Sequence, residues 1–248
     1  MSDKSENYNL KQYLDNIVST SLDKFRIFTT WSEQETEEFK VLLDALKRPY
    51  DIDIETTKEK GDRLERLVEF IIKKSYFFEI YKNVHTETNE IDEVIVLSDR
   101  GKQAIKTFGI ARTLIPIDEN IFLGECKNYA SHLGVTYIGK FYSLLSVTDI
   151  SFGIIFTQNG LTGDAEGYKD AYGLTKVLRM IEKYEHGREM YILTFTLDDY
   201  EELLKGKTFF ELVNAKKLEL QLASDYHNFI IENQHGRAEE IKKILQNK

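Results

Sequence analysis

The hydrophobic pattern of this chain changes its period at Ser75, and this change limits the folds open to it. Before that point apolar residues repeat at helical spacing, as Leu64, Leu67 and Ile71 do. After it, the run Tyr76 to Tyr81 (YFFEIY) is aromatic and β-branched, which is typical of a strand. Strands and helices then alternate along the rest of the chain. The pattern therefore predicts an α/β protein.

The predicted elements follow the order of a mixed central sheet flanked by helices. Helices are predicted between Ser32 and Pro49, over Asp62 to Lys74, Val135 to Val147 and about Asp164 to Tyr184. Strands are predicted over Ser75 to Tyr81, Ile91 to Leu97, Ile121 to Lys127, Ser151 to Thr157 and Tyr191 to Thr196. The stretch Tyr50 to Lys60 is expected to be a connector, and a turn at Thr86 to Asn89 is expected to close a hairpin.

Three regions are expected: an N-terminal helical arm, or recognition or dimerisation region, over 1–58, a central α/β domain over 59–215 and a C-terminal helical segment over 216–248. With 248 residues, of which 42% are hydrophobic, the chain can bury one core of medium size. Its net charge of -9 argues against a nonspecific nucleic-acid coat protein. The lone Cys126 and the polar start of the chain point to a reducing cytoplasm, and no stretch is apolar enough for a membrane span.

Glu125 and Lys127 are the most informative polar pair. Residues two apart on a strand share a face, so both charges emerge together while Cys126 turns to the other face as a small core residue. Ile121 and Leu123 lie on the face of the pair, which predicts a strand that starts buried and ends polar. A structural ion pair is the plain alternative to a catalytic site.

Two further carboxylates favour the catalytic interpretation. Asp92 begins an otherwise apolar strand, and Glu65 lies on the helix ahead of the first strand. Mg²⁺ takes oxygen ligands and usually only one or two carboxylates. Asp92 and Glu125 would be those ligands, with Glu65 holding an outer-sphere water. Lys127 would position or deprotonate the attacking water and offset negative charge.

These residues resemble the PD-(D/E)XK nuclease superfamily, and more closely its Mrr-like branch of type IV restriction endonucleases. The similarity lies in the segments GDRLERL (Gly61 to Leu67), EIDEV (Glu90 to Val94), GECKNY (Gly124 to Tyr129) and GIIFTQNGLTG (Gly153 to Gly163). The resemblance implies a restriction-endonuclease-like core at 59–215 and catalytic roles for Glu65, Asp92, Glu125 and Lys127. It also implies a metal held by Asp92, Glu125 and the backbone carbonyl of Cys126.

The function implied by this resemblance is Mg²⁺-dependent cleavage of DNA, with Mn²⁺ as a substitute, in a restriction or defence system of the cytoplasm. A homodimer is expected because cutting a duplex requires two sites, and partner proteins of a defence system are a further expectation. The rival hypothesis is a non-catalytic subunit that uses a nuclease fold for DNA binding or assembly. A third hypothesis keeps the nuclease and directs it to junctions or RNA.

Several secondary hypotheses concern the surroundings of the site. The segment 98–120 is interpreted as an insert that contacts DNA or a partner. The turn around Asn159 and Gly160 is interpreted mainly as a structural turn, with contact to a nucleic-acid backbone as the minority view. Two interpretations of Lys140 are equally favoured: a residue of the site or a solvated lysine. Trp31 is expected to pack the N-terminal arm onto the core.

Overall fold

The computed structural model of the protein describes residues 12, 20–49, 56–85, 90–163 and 170–222. Its helices are α1 (described over 20–29), α2 (Glu33–Lys47), α3 (Thr57–Lys74), α4 (Asp99–Phe108), α5 (Val135–Val147), α6 (Asp170–Glu185), α7 (Leu197–Leu204) and α8 (Phe209–Leu222). Its strands are β1 (Phe78–His85), β2 (Glu90–Leu97), β3 (Ile121–Lys127), β4 (Phe152–Thr157) and β5 (Tyr191–Phe195). A 3₁₀ turn covers Arg112–Leu114.

The strands form one mixed sheet in the order β1-β2-β3-β4-β5. The pairs β1–β2 and β2–β3 are antiparallel, whereas β3–β4 and β4–β5 are parallel. Each parallel connection runs through a helix, α5 and then α6, because parallel strands need a long crossover. The predicted fold class, a mixed central sheet flanked by helices with an N-terminal helical region, is confirmed.

Apolar side chains cover both faces of the sheet. The larger core contains Phe122 and Phe156 from one face and apolar residues of α1, α2, α3 and α8. The smaller core contains Leu123 and Ile155 from the other face and residues of α5 and α6. Strands covered on both sides become continuously buried, as β4 is. Polar side chains therefore collect at the ends of the strands.

The bounds of β3 and α5 are those that the sequence predicted, and the other predicted elements shift by a few residues. One prediction is wrong: the connector assigned up to Lys60 is helical from Thr57. Thr56 and Glu59 form a capping box there, so α3 begins five residues before the predicted start at Asp62. Within the predicted insert, Ser98 caps α4. The predicted turn at 86–89 and the predicted helix start at 164–169 lie outside the described residues.

The described terminal regions pack on the sheet domain. Trp31 contacts the rings of Phe39 and Phe70, as the packing interpretation expected. Helix α8 runs across the boundary predicted at 216 and contributes Phe209 and Phe210 to the larger core. None of the helices in the described ranges has the length and apolarity that crossing a bilayer requires.

Gly153 of β4 marks a close approach of α5 to the sheet. A Cβ added there would lie 2.6 Å from Cε1 of Phe141 and 3.1 Å from a methyl group of Leu145, both on α5. We expect Gly153→Ala to lower the free energy of unfolding by about 1 to 3 kcal/mol, measured by urea unfolding. Gly139→Ala on α5 is the control, since its Cβ would meet nothing within 4 Å. Equal effects of the two substitutions would contradict this packing.

Candidate active site

Three charged side chains meet at one end of the sheet, on the face that carries Leu123. The ammonium of Lys127 lies 2.8 Å from Oδ2 of Asp92 and 2.8 Å from Oε1 of Glu125. The side chains of Lys127 and Glu125 are each 22% exposed and that of Asp92 is 32% exposed. The group is therefore largely buried yet open to a ligand from solvent. The structure brings together three of the four side chains that the sequence selected.

The register of β2 and β3 produces this meeting. Glu93 pairs with Gly124, so the next pair along the antiparallel ladder places Asp92 opposite Glu125. Opposite residues share a face, and Lys127 follows on the same face two residues later. The expectation of a buried start to β3 is wrong at Ile121, which is 42% exposed because it is the first residue, at the far end of the strand.

Burial and mutual repulsion act on the carboxylates of this group. Burial raises the pKa of Glu125, the nearby charge of Asp92 raises it further, and the contact with Lys127 opposes both effects. Two carboxylates on opposed residues of neighbouring strands repel each other in a partly desolvated place. The arrangement thus requires positive charge, and Lys127 is the cation that supplies it here.

Lys127 is held in its charged form. Burial opposes its charge, but hydrogen bonds to Asp92 and Glu125 outweigh that effect and raise its pKa above the usual range. An ammonium with a raised pKa is a poor proton acceptor at neutral pH. Of the two roles considered for this lysine, positioning and charge compensation fit the geometry better than deprotonation of water.

Glu65, the fourth predicted residue, lies on α3 and faces β1. Its Oε2 is 3.7 Å from Nζ of Lys82, and Lys82 also lies 2.8 Å from Oε2 of Glu69. Lys82 pairs with Glu93 in the ladder, on the sheet face opposite to Asp92. Glu65 therefore groups with Lys82 in this structure, and its catalytic role stays a prediction.

A buried acid on that opposite face was missed by the sequence analysis. Glu93 is 1% exposed, and its Oε1 accepts a hydrogen bond from the thiol of Cys126 at 3.1 Å. Burial raises its pKa to about 8, so the side chain is mostly protonated at neutral pH. The available signal was an acidic residue at an inward position of the alternating strand IDEVIV.

Cys126 lies between the two site residues of β3 but turns its side chain to the other face, as predicted. It packs half-buried against the larger core, and burial raises the pKa of its thiol well above the usual range. It is therefore a poor nucleophile. The role of its backbone carbonyl as a metal ligand stays a prediction, and so does the role of Lys140, whose side chain is exposed on α5.

Two carboxylates at this site are the candidate donors for a divalent cation. In the described part of the chain, no group of three or more His, Cys, Asp and Glu side chains could hold a metal ion. The candidate donors are the two carboxylates of Asp92 and Glu125, and Mg²⁺ commonly takes only one or two from a protein, with waters and phosphate oxygens around them. Both carboxylates contact one ammonium, so both can contact a single cation. The pair fits Mg²⁺.

Comparison of the chain with protein-family models, with curated proteins and with solved structures finds no match.

The buried acid Glu93 predicts a pH dependence of stability. Its pKa rises from an ordinary value of 4.5 to about 8 on folding, so in this window the folded chain keeps a proton that the unfolded chain releases. The contribution of this group to the free energy of unfolding is therefore greatest below pH 4.5. It falls by about 1 kcal/mol per pH unit as the pH rises from 4.5 to about 8. Glu93→Gln should flatten this slope in urea unfolding with EDTA present.

The control is Glu185→Gln, because Glu185 is exposed on α6 and should leave the slope as it is. A Glu93→Gln variant that loses stability with pH as steeply as the unaltered chain would show that Glu93 is not protonated in the folded state.

Proposed function

We propose that this chain is a Mg²⁺-dependent endonuclease that hydrolyses phosphodiester bonds in DNA. The observation that carries the proposal is the contact of one ammonium, Lys127, with two carboxylates, Asp92 and Glu125, at an open end of the sheet. Paired carboxylates beside a fixed cation are the groups that metal-assisted hydrolysis of a phosphate ester needs. The resemblance to PD-(D/E)XK nucleases, which uses the same three residues, supports the same reaction.

Each residue has a distinct role in this proposal. Asp92 of β2 and Glu125 of β3 would hold the divalent cation. When bound, Mg²⁺ supplies a water of lowered pKa and stabilises charge on the phosphate. Lys127 remains an ammonium, donates a hydrogen bond that orients the attacking water, and offsets the negative charge of the phosphate. The partly buried position of the three side chains strengthens these charge interactions.

The proposed oligomeric state depends on the number of DNA strands that are cut. One site hydrolyses one strand, so a double-strand break needs two sites, and the proposal includes a homodimer for that reaction. A place in a restriction or defence system of the cytoplasm, with partner proteins, follows from the resemblance alone. Mn²⁺ is proposed as a substitute because it too accepts oxygen ligands.

The test is cleavage of plain duplex, methylated duplex, four-way junction, single-stranded DNA and RNA, with and without Mg²⁺. We expect Mg²⁺-dependent cutting that Lys127→Ala lowers by about 10²-fold or more. Lys205→Ala is the control, since Lys205 forms an exposed ion pair with Glu202 at 2.8 Å. Full activity of Lys127→Ala would contradict the assigned roles. No cutting by the folded chain would favour a DNA-binding or assembly subunit.

Replacing Glu65 or Glu125 by glutamine is expected to lower the rate of cleavage by different amounts. Glu125→Gln should lower the rate of cleavage by about 10²-fold or more, because it removes a metal ligand. Glu65→Gln should lower it less than about tenfold, because Glu65 contacts Lys82 on the other face. Initial rates under saturating DNA measure both. Equal losses would show that Glu65 reaches the cation in the complex with DNA, as the resemblance implies.

A further inference from the structure

An aromatic pair lies beside the three charged residues. The rings of Tyr129 and Tyr137 have their centroids 5.5 Å apart and their planes at 45°. Tyr129 follows Lys127 by two residues and is 43% exposed. A hydrogen bond to Tyr137 raises the pKa of Tyr129, and the charges of Lys127 and Glu125 act on the same hydroxyl. Tyr129 therefore lies close to the candidate active site.

Hydrogen bonds to backbone carbonyls fix the loop that carries this ring. The side-chain amide of Asn159 donates to the carbonyl of Tyr129 at 2.7 Å. The N–H of Leu133 donates to the carbonyl of Gly160 at 2.9 Å, and the N–H of Thr162 donates to the carbonyl of Leu133 at 2.9 Å. The two turns after β3 and β4 are thus joined, and the ring is held in place before any ligand binds. A preordered surface loses little entropy on binding.

A second contact fixes the same loop from the other side. The side-chain amide of Asn128 donates a hydrogen bond to the backbone carbonyl of Lys60, in the first turn of α3, at 2.6 Å. The chain between Lys127 and Tyr129 is thereby attached to α3, so the aromatic pair keeps its place relative to the charged group. Partly buried aromatic residues such as Trp31 are used for packing, but packing does not require a ring to be exposed at the edge of a polar site.

We propose that Tyr129, supported by Tyr137, stacks on an unpaired nucleobase next to the phosphate that is cleaved, so that the preferred substrate is DNA with an unpaired nucleotide. The base faces in an intact duplex are stacked on each other and cannot meet a protein ring, whereas an unpaired base can. This inference rests on the proposed function, because it uses the same site and substrate.

The charge of the chain favours this mode of binding. Its net charge is -9 and the site contains two carboxylates, so long-range attraction for phosphates is weak. Stacking contributes about 1 to 3 kcal/mol per base and needs no cation on the protein. An acidic nuclease can therefore select an unpaired nucleotide by its base.

The experiment compares two DNA hairpins that differ by one unpaired 2-aminopurine. Dissociation constants are measured by fluorescence anisotropy with Ca²⁺ in place of Mg²⁺, and stacking is followed by quenching of the 2-aminopurine fluorescence. We expect tighter binding of the unpaired hairpin, with quenching. Tyr129→Leu should raise its dissociation constant about tenfold and abolish the quenching. Tyr129→Phe should retain both properties because it keeps the ring.

Tyr184→Leu is the matched control, since Tyr184 is 78% exposed on α6. Equal binding of the two hairpins, or an unchanged dissociation constant and quenching in Tyr129→Leu, would overturn the proposal. The same samples with Mg²⁺ separate it from the proposed function. Loss of stacking in Tyr129→Leu without any cleavage by the unaltered chain would support the base contact and reject the nuclease. Cleavage by the unaltered chain with no discrimination between the two hairpins would support the nuclease and reject the base contact.

Discussion

The contact of Lys127 with Asp92 and Glu125 is the interaction on which the functional account depends. The antiparallel register of β2 and β3 places two carboxylates opposite each other, and their partial burial makes them repel. Such a pair is stable only near positive charge. In the structure an ammonium provides that charge, and in the proposed reaction a divalent cation would share the task. In the proposal, the repulsion between the carboxylates accounts for the position of the lysine and for the expected binding of a metal.

The sheet separates this group from a second polar group on its other face. Residues of β3 alternate, so Glu125 and Lys127 face the candidate active site while Gly124 and Cys126 face Glu93. Gly124 leaves room there for the carboxylate of Glu93, which a Cβ at this position would displace. The buried acid is neutral near pH 7 because its pKa is raised to about 8. It therefore adds little charge beneath the site. The charges at the site itself are those of Asp92, Glu125 and Lys127.

Much of this architecture could be predicted from periodicity and capping. The apolar stripe of α5 and the alternation in β3 set their bounds, because both depend on neighbouring residues alone. The beginning of α3 was missed, since its first turn is polar and only the Thr56–Glu59 cap marks it. Two-residue spacing also predicted that Glu125 and Lys127 share a face. The position of Glu65 and the burial of Glu93 depend on contacts between distant segments, which no local pattern encodes. The approach of Tyr129 to Tyr137 depends on the path of the loop that joins β3 to α5.

The measurement that tests the central claim most directly is calorimetric titration of the DNA-free chain with Mn²⁺ and Mg²⁺, with Asp92→Asn as the comparison. It reports the cation site itself, separately from any choice of nucleic-acid substrate. The account predicts saturable binding that Asp92→Asn weakens by about tenfold or more, because one of two carboxylate ligands becomes neutral. Equal binding by both proteins would contradict it, since the cation would then be held elsewhere than between β2 and β3.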